Sequence, residues 1–150
     1  MLSVMQEALH QDAVQRLLRA ADERSAALYP IDSRFGLGAD DLLLRGVRFF
    51  VARLDGQAVG CGGFAPTSPT EGELQRMFVD AALRRQGVGW ALLQAIEGAA
   101  RTESIQIMWL ETGAASAEAL ALYWRSGYRE REPFGDYAFD ARSIFMEKAV

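Results

Sequence analysis

LRRQGVGWALL, residues 83–93, sets two glycines two positions apart between an apolar run and a stretch of helical spacing. Upstream, residues 73–79 read as a strand. Downstream, Trp90, Leu93, Ile96, Glu97 and Ala100 recur at helical intervals, and the apolar run 105–111 reads as a buried strand. A strand, a glycine turn, a helix and a second strand form the repeating unit of α/β folds. In the turn the backbone can approach a ligand closely. Free amides there, the positive end of the helix dipole, and Arg84 and Arg85 together suit an anion such as a pyrophosphate. The same residues also fit a plain strand-to-helix turn in which glycine supplies positive φ and the arginines are solvated. No Gly-Lys-Ser/Thr ending is present, so this is not a Walker-type phosphate loop. The third glycine and distant acidic partner of a dinucleotide fingerprint are missing too.

Outward from this unit, the spacing predicts an opening strand over 2–7. A long amphipathic helix follows, carrying Val14, Leu17, Leu18, Ala21, Ser25 and Leu28 and stopping at Pro30. Residues 31–46 mix Gly36 and Gly38 with a short helical run at 40–44, the pattern of a mobile flap more than of core. Segments 47–54 and 57–65 flank Asp55-Gly56, the signal of a tight antiparallel hairpin. Ser116 is placed to cap a helix running to Ser126, with Glu118 in its first turn and Gly127 ending it. Strands over 128–132 and 143–147 complete one α/β domain spanning residues 1–150.

Composition narrows the chemistry. A chain of 150 residues, half hydrophobic and about a quarter charged, has room for one core. A net charge of -4 and a pI near 5.0 argue against nucleic acid as partner, because phosphate backbones need a clustered basic face. Cys61 is the only cysteine and His10 the only histidine. Disulfides, zinc-histidine sites and Ser/His or Cys/His mechanisms therefore lack their central residues, and a cytoplasmic location is the natural expectation. The longest charge-free stretch, 56–70, is short and rich in Gly and Pro, so no membrane span is expected.

QRMFVDAALRRQGVGWALL, residues 75–93, resembles the coenzyme A motif of the GNAT superfamily of N-acetyltransferases, Arg/Gln-x-x-Gly-x-Gly/Ala after a strand. Arg84, Gly87 and Gly89 fill its positions. LETGAASAEALALYWRSGYRERE, residues 110–132, resembles the second family motif, with Tyr123, Gly127 and Tyr128 matching. Ala81 stands where many members carry proline, and Ser116 where many carry asparagine. The resemblance implies a mixed, mainly antiparallel sheet flanked by helices, whose two central parallel strands, 73–79 and 105–111, splay apart around the thioester of acetyl-CoA. It further implies that Met77, Phe78 and Val79 border the pantetheine arm. Arg84 and the amides of Arg85, Gln86, Gly87, Val88, Gly89 and Trp90 would hold the pyrophosphate, with Ser116 and Tyr123 also at the cofactor. A side chain at Gly89 is expected to fill the phosphate cradle while the fold survives. No metal is required, and family habit leaves a homodimer open.

Amine acylation needs an unprotonated nucleophile, a polarised carbonyl and a proton for the departing thiolate. The resemblance makes Tyr123 the proton donor; read by itself, it is a core aromatic before it is an acid. Strand alternation is expected to place Glu73 on the face of Met77 and Val79, with Glu111 on the neighbouring strand, so that either receives the ammonium proton through water. Both also read as solvated or arginine-paired. Arg76 is expected to share a face with Leu74 and Phe78 and to meet a buried partner charge. Cys61 lacks a base for a nucleophilic role. PFGDY, residues 133–137, brings Phe134 and Tyr137 as acceptor-pocket candidates or as a turn packed on the sheet. The expected acceptor is a small-molecule amine; a peptide or protein amine, or a non-catalytic acyl-CoA sensor, is the alternative.

Overall fold

Asp55 and Gly56 both take positive φ, 50° and 87°, the pairing that lets a two-residue turn follow the twist of its strands. They join β2 (Arg48–Leu54) to β3 (Gln57–Pro66). In the computed structural model, which describes residues 1–28, 38–135 and 141–150, this hairpin lies in a seven-stranded sheet. The other strands are β1 (Leu2–Gln6), β4 (Glu71–Val79), β5 (Ile107–Gly113), β6 (Arg129–Arg131) and β7 (Ser143–Ala149). Their order is β1-β2-β3-β4-β5-β7-β6, antiparallel throughout except for the parallel pair β4 and β5. The helices are α1 (Asp12–Leu28), α2 (Ala39–Leu44), α3 (Val88–Thr102) and α4 (Ala117–Arg125).

Each sheet face buries its own apolar cluster. On one, the α3 stripe Val88, Leu92, Leu93, Ile96 and Ala100 packs on Phe50, Phe64, Leu74, Met108, Leu110 and Met146. On the other, Val14, Leu17 and Leu18 of α1 and Leu42 of α2 pack on Phe49, Val51 and Cys61. The expected strand over 105–111 runs two residues later. Ser104, at φ 67°, turns the chain out of α3, and the Ile105 amide still donates to Ala100 O (3.0 Å) before pairing begins at Ile107. Ser116 occupies the N-cap of α4 without a side-chain capping bond, whereas Gly127 leaves the helix at φ 101°, as its sequence position predicts.

One irregularity in β4 decides the site. Its register against β3 passes from Cys61↔Phe78 to Gly63↔Gln75, and Arg76 sits at φ 57°. This is a β-bulge, which breaks strict alternation. Gly62 accommodates it, because a Cβ there would lie 2.3 Å from Met77 Sδ. Leu74 before the bulge and Met77 and Val79 after it face α3, while Arg76 and Phe78 face α1. Glu73, alternating with Leu74, therefore lies on the α1 face. The expectation that it shares a face with Met77 and Val79 is corrected, as is the placing of Arg76 beside Leu74.

Candidate active site

β4 and β5 pair only through Glu71↔Ile107, Gly72↔Met108 and Glu73↔Trp109. Beyond these the strands part, and the bulged half of β4 keeps β3 as a partner on one edge only. The opening is a cleft of about 550 Å³. Met77, Phe78 and Val79 line one wall, Leu110, Glu111 and Thr112 the other; Tyr123 of α4 and Ser116 at its start also line it. Glu73 stands where the strands divide.

At one end lies the turn into α3. After a single 3-10 turn, Ala81–Leu83, Gly87 takes φ 83° at the N-cap, with no side-chain cap. The first helical bond runs from Ala91 N to Gly87 O (3.0 Å), leaving the amides of Val88, Gly89 and Trp90 outside the helical ladder. Among the described residues the amides of Arg85, Gln86 and Gly87 donate to no backbone acceptor either. Unfilled donors at a helix start, bordering a cleft with Arg85, fit a pyrophosphate. Arg84 is less free than its motif position suggests: Nε donates to Val79 O (3.2 Å) and lies 3.2 Å from Glu118 Oε2, tying the turn to α4.

Two residues expected to offer their amides keep their side chains out of the cleft. Gln86 donates to Ala82 O (3.5 Å) and does not line the cleft, and Val88 is buried in the α3 core. Only their main chain remains available. Gly89 lines the cleft and also meets a packing demand: a Cβ there would lie 2.7 Å from Leu122 Cδ2, so its bareness lets α4 approach α3. Phe134 stacks against Trp109 (centroids 4.3 Å) and Phe145 (5.6 Å), is buried, and does not line the cleft; it is the turn packed on the sheet. Tyr137 lies outside the described residues.

Tyr123 is 6 % exposed, and its hydroxyl has no acceptor among the described residues. Burial first, and the Glu111 carboxylate second, push its pKa well up, so the phenol keeps its proton. A neutral acid in a cleft beside a carboxylate is equipped to donate. Cys61 is fully buried on the α1 side, outside the cleft, with its thiol facing Arg76 O at 3.5 Å. Burial pushes its pKa to about 12, which withholds the thiolate. Arg76, expected to meet a buried charge, reaches Asp22 (Nη1 to Oδ1, 3.0 Å), whose side chain is 56 % exposed, and Leu18 O (3.3 Å).

Behind Tyr123 stands a group that motif reading passed over. Tyr128, edge-on to Tyr123 at 5.8 Å, donates from its hydroxyl to Glu97 Oε2 (2.9 Å), and Lys148 Nζ donates to Glu97 Oε1 (2.7 Å). Glu97 is 2 % exposed. The available signal was its carboxylate on the apolar stripe of α3, a position that demands partners.

A sheet parted at a parallel strand pair, a neutral buried tyrosine in the gap and an open anion cradle at the gap's end define the acyl-CoA-dependent acyltransferase class. The chain belongs to the acetyltransferase (GNAT) family, whose model matches residues 13–128, and is an N-acetyltransferase that uses acyl-CoA. It is 40 % identical over 150 residues to an IAA acetyltransferase of Azospirillum brasilense, covering 99 % of this chain and 98 % of the relative. A crystal structure assigned as an acyl-CoA N-acyltransferase of Klebsiella pneumoniae aligns with a TM-score of 0.85 at 31 % identity, over 99 % of this chain and 97 % of that one. The PaiA N-acetyltransferase of Thermoplasma acidophilum, solved with coenzyme A, shares the fold with a TM-score of 0.77 at 16 % identity, over 100 % and 99 % of the two chains.

Proposed function

We propose that this enzyme moves an acetyl group from acetyl-CoA to a primary amine of a small molecule by direct attack within a ternary complex. The observation carrying this reading is Tyr123: a buried phenol held in its neutral form, in the same cleft as Glu111 and the helix-start cradle. The 40 % identical IAA acetyltransferase supports a small-molecule acceptor.

The amides of residues 85–90 and Arg85 bind the pyrophosphate, and the unpaired edge of β4 at Met77, Phe78 and Val79 runs beside the pantetheine as an added strand would. Glu73 or Glu111 accepts the ammonium proton, directly or through water. The amine then attacks the thioester carbonyl, forming the C–N bond. As the C–S bond breaks, Tyr123 gives its proton to the sulfur, and the surplus proton on the new amide nitrogen returns through water to the Tyr123 oxygen. No protein nucleophile takes part, consistent with the raised pKa and seclusion of Cys61.

Initial rates measured over both substrates, with thiol release as readout across amino acids, amines, polyamines and aminoglycosides, test this. Intersecting double-reciprocal lines are expected, together with an intact mass unchanged by acetyl-CoA alone and a Cys61→Ala variant that keeps most turnover. A stoichiometric acetyl adduct on Cys61 that is discharged by amine would overturn direct transfer.

A further inference from the structure

The cleft extends past Tyr123 to the inner stripe of α1. Ala21, Arg24, Ser25 and Leu28, one side of that helix, line it opposite the bulged half of β4. Arg24 is half-buried and forms no ion pair among the described residues. Across from it, Gln75 and Arg76 also line the cleft, and each carries a buried atom with no hydrogen-bond partner among the described residues, Gln75 Oε1 and Arg76 Nε. Gln75 is 9 % exposed. Buried polar atoms normally find partners, and an orphaned acceptor and donor on adjacent residues of a ligand cleft point to groups a ligand brings or a small side-chain turn would engage. Arg142 lines the cleft from the start of β7.

Resting on the acetyl-transfer reading above, we propose that this α1-side region is a carboxylate subsite, with Arg24 as its principal cation, and that the acceptor is an amino acid: one molecule carrying both the amine and a carboxylate. Glu73 and Glu111 attract the ammonium end, while Arg24 supplies positive potential for the other end. Gln75 Oε1 is the acceptor for an N–H of the same ligand. Polycations such as polyamines match Glu73 and Glu111 but meet the Arg24 guanidinium with like charge, which disfavours them.

Matched triples at saturating acetyl-CoA test the subsite: leucine, leucinamide and isoamylamine; phenylalanine, phenylalaninamide and phenethylamine; β-alanine, β-alaninamide and propylamine. The expected result is a kcat/KM at least about tenfold higher for the free acid in one or more triples. Arg24→Gln should then bring that triple to near parity, with the KM for acetyl-CoA and the Tm unchanged. Turnover in which amides or simple amines equal or exceed the acid in every triple overturns the subsite and leaves acetyl transfer standing. A rise in the KM for acetyl-CoA in Arg24→Gln, with the preference for the acid intact, also overturns it, because Arg24 would then serve the cofactor. If no amine releases thiol, the reading of the activity fails; the subsite is then decided by calorimetry of the N-acetyl derivatives of the three acids against the coenzyme A complex. Binding of these acids that their methylamides lack supports it, and equal or no binding overturns it.

Discussion

Tyr123 shows how one side chain serves two demands. Its ring packs in the α3-side core against Tyr128, while its hydroxyl has no acceptor among the described residues. Tyr123→Phe keeps the packing and deletes the proton. A loss of roughly ten- to a hundredfold in kcat is expected, since coenzyme A thiolate is a fair leaving group, with little change in the KM for acetyl-CoA. Steady-state kinetics alongside a melting curve check this: full turnover in a folded Tyr123→Phe returns the residue to a purely structural role. The place of Tyr123 on a cleft-lining helix was legible because its motif is contiguous in the chain. The packing demand on Gly89 was not, since the clash it avoids involves Leu122, a residue of another helix.

Between elements, the Glu97 carboxylate joins α3 to the chain after α4 through Tyr128 and to β7 through Lys148. With the carboxylate buried, Lys148→Met removes its cation and should destabilise by about 3–5 kcal/mol, whereas Tyr128→Phe, leaving the lysine in place, should cost about 1–3 kcal/mol. Urea unfolding measures both, and equal small effects would show that the carboxylate is solvated in the native state. At the other side of the sheet, Arg53 of β2 holds Glu7 just after β1 through Nη2 to Oε1 (2.8 Å) and Nε to Oε2 (2.9 Å). The Arg53 hydrogen bonds lower the pKa of Glu7 against the opposing effect of burial. A lowered folded-state pKa means stability present above the ordinary carboxylate range and lost as pH falls through it. The pair is partly exposed, so the contribution is at most about 1 kcal/mol. Glu7→Gln should therefore lower the Tm at pH 7 slightly and narrow the gap to the parent at pH 3.

For the whole molecule, the cleft exists because β4 and β5 pair for three residues and then separate, so its walls belong to β4, the turn into α3, β5, α4 and α1. A ligand spanning these elements should tie them together. Saturating coenzyme A at a hundred times Kd adds about 2.7 kcal/mol of stability. Hydrogen exchange with and without it should slow at residues 76–79, 84–92 and 117–123, and leave β1 and β6, at the two sheet edges, unchanged. Uniform slowing across β1 and β6 would point to a global effect in place of binding in the cleft.

Chain-local patterns determined the hairpin at Asp55-Gly56, the α1 and α3 stripes and the glycine turn, because each depends on neighbours within a few residues. They also carried the family, through two motifs. Tertiary structure alone decided which face Glu73 takes, since a single left-handed residue, Arg76, inserted opposite a glycine of the neighbouring strand, shifts alternation by one. It likewise decided that Phe134 is core rather than pocket, that Arg84 ties the turn to α4, and that Glu97 is satisfied by Tyr128 and Lys148. Those outcomes depend on partners 11 to 51 positions away, and the geometry of a bulge or a buried ion pair is written in contacts, which periodicity within one segment does not contain.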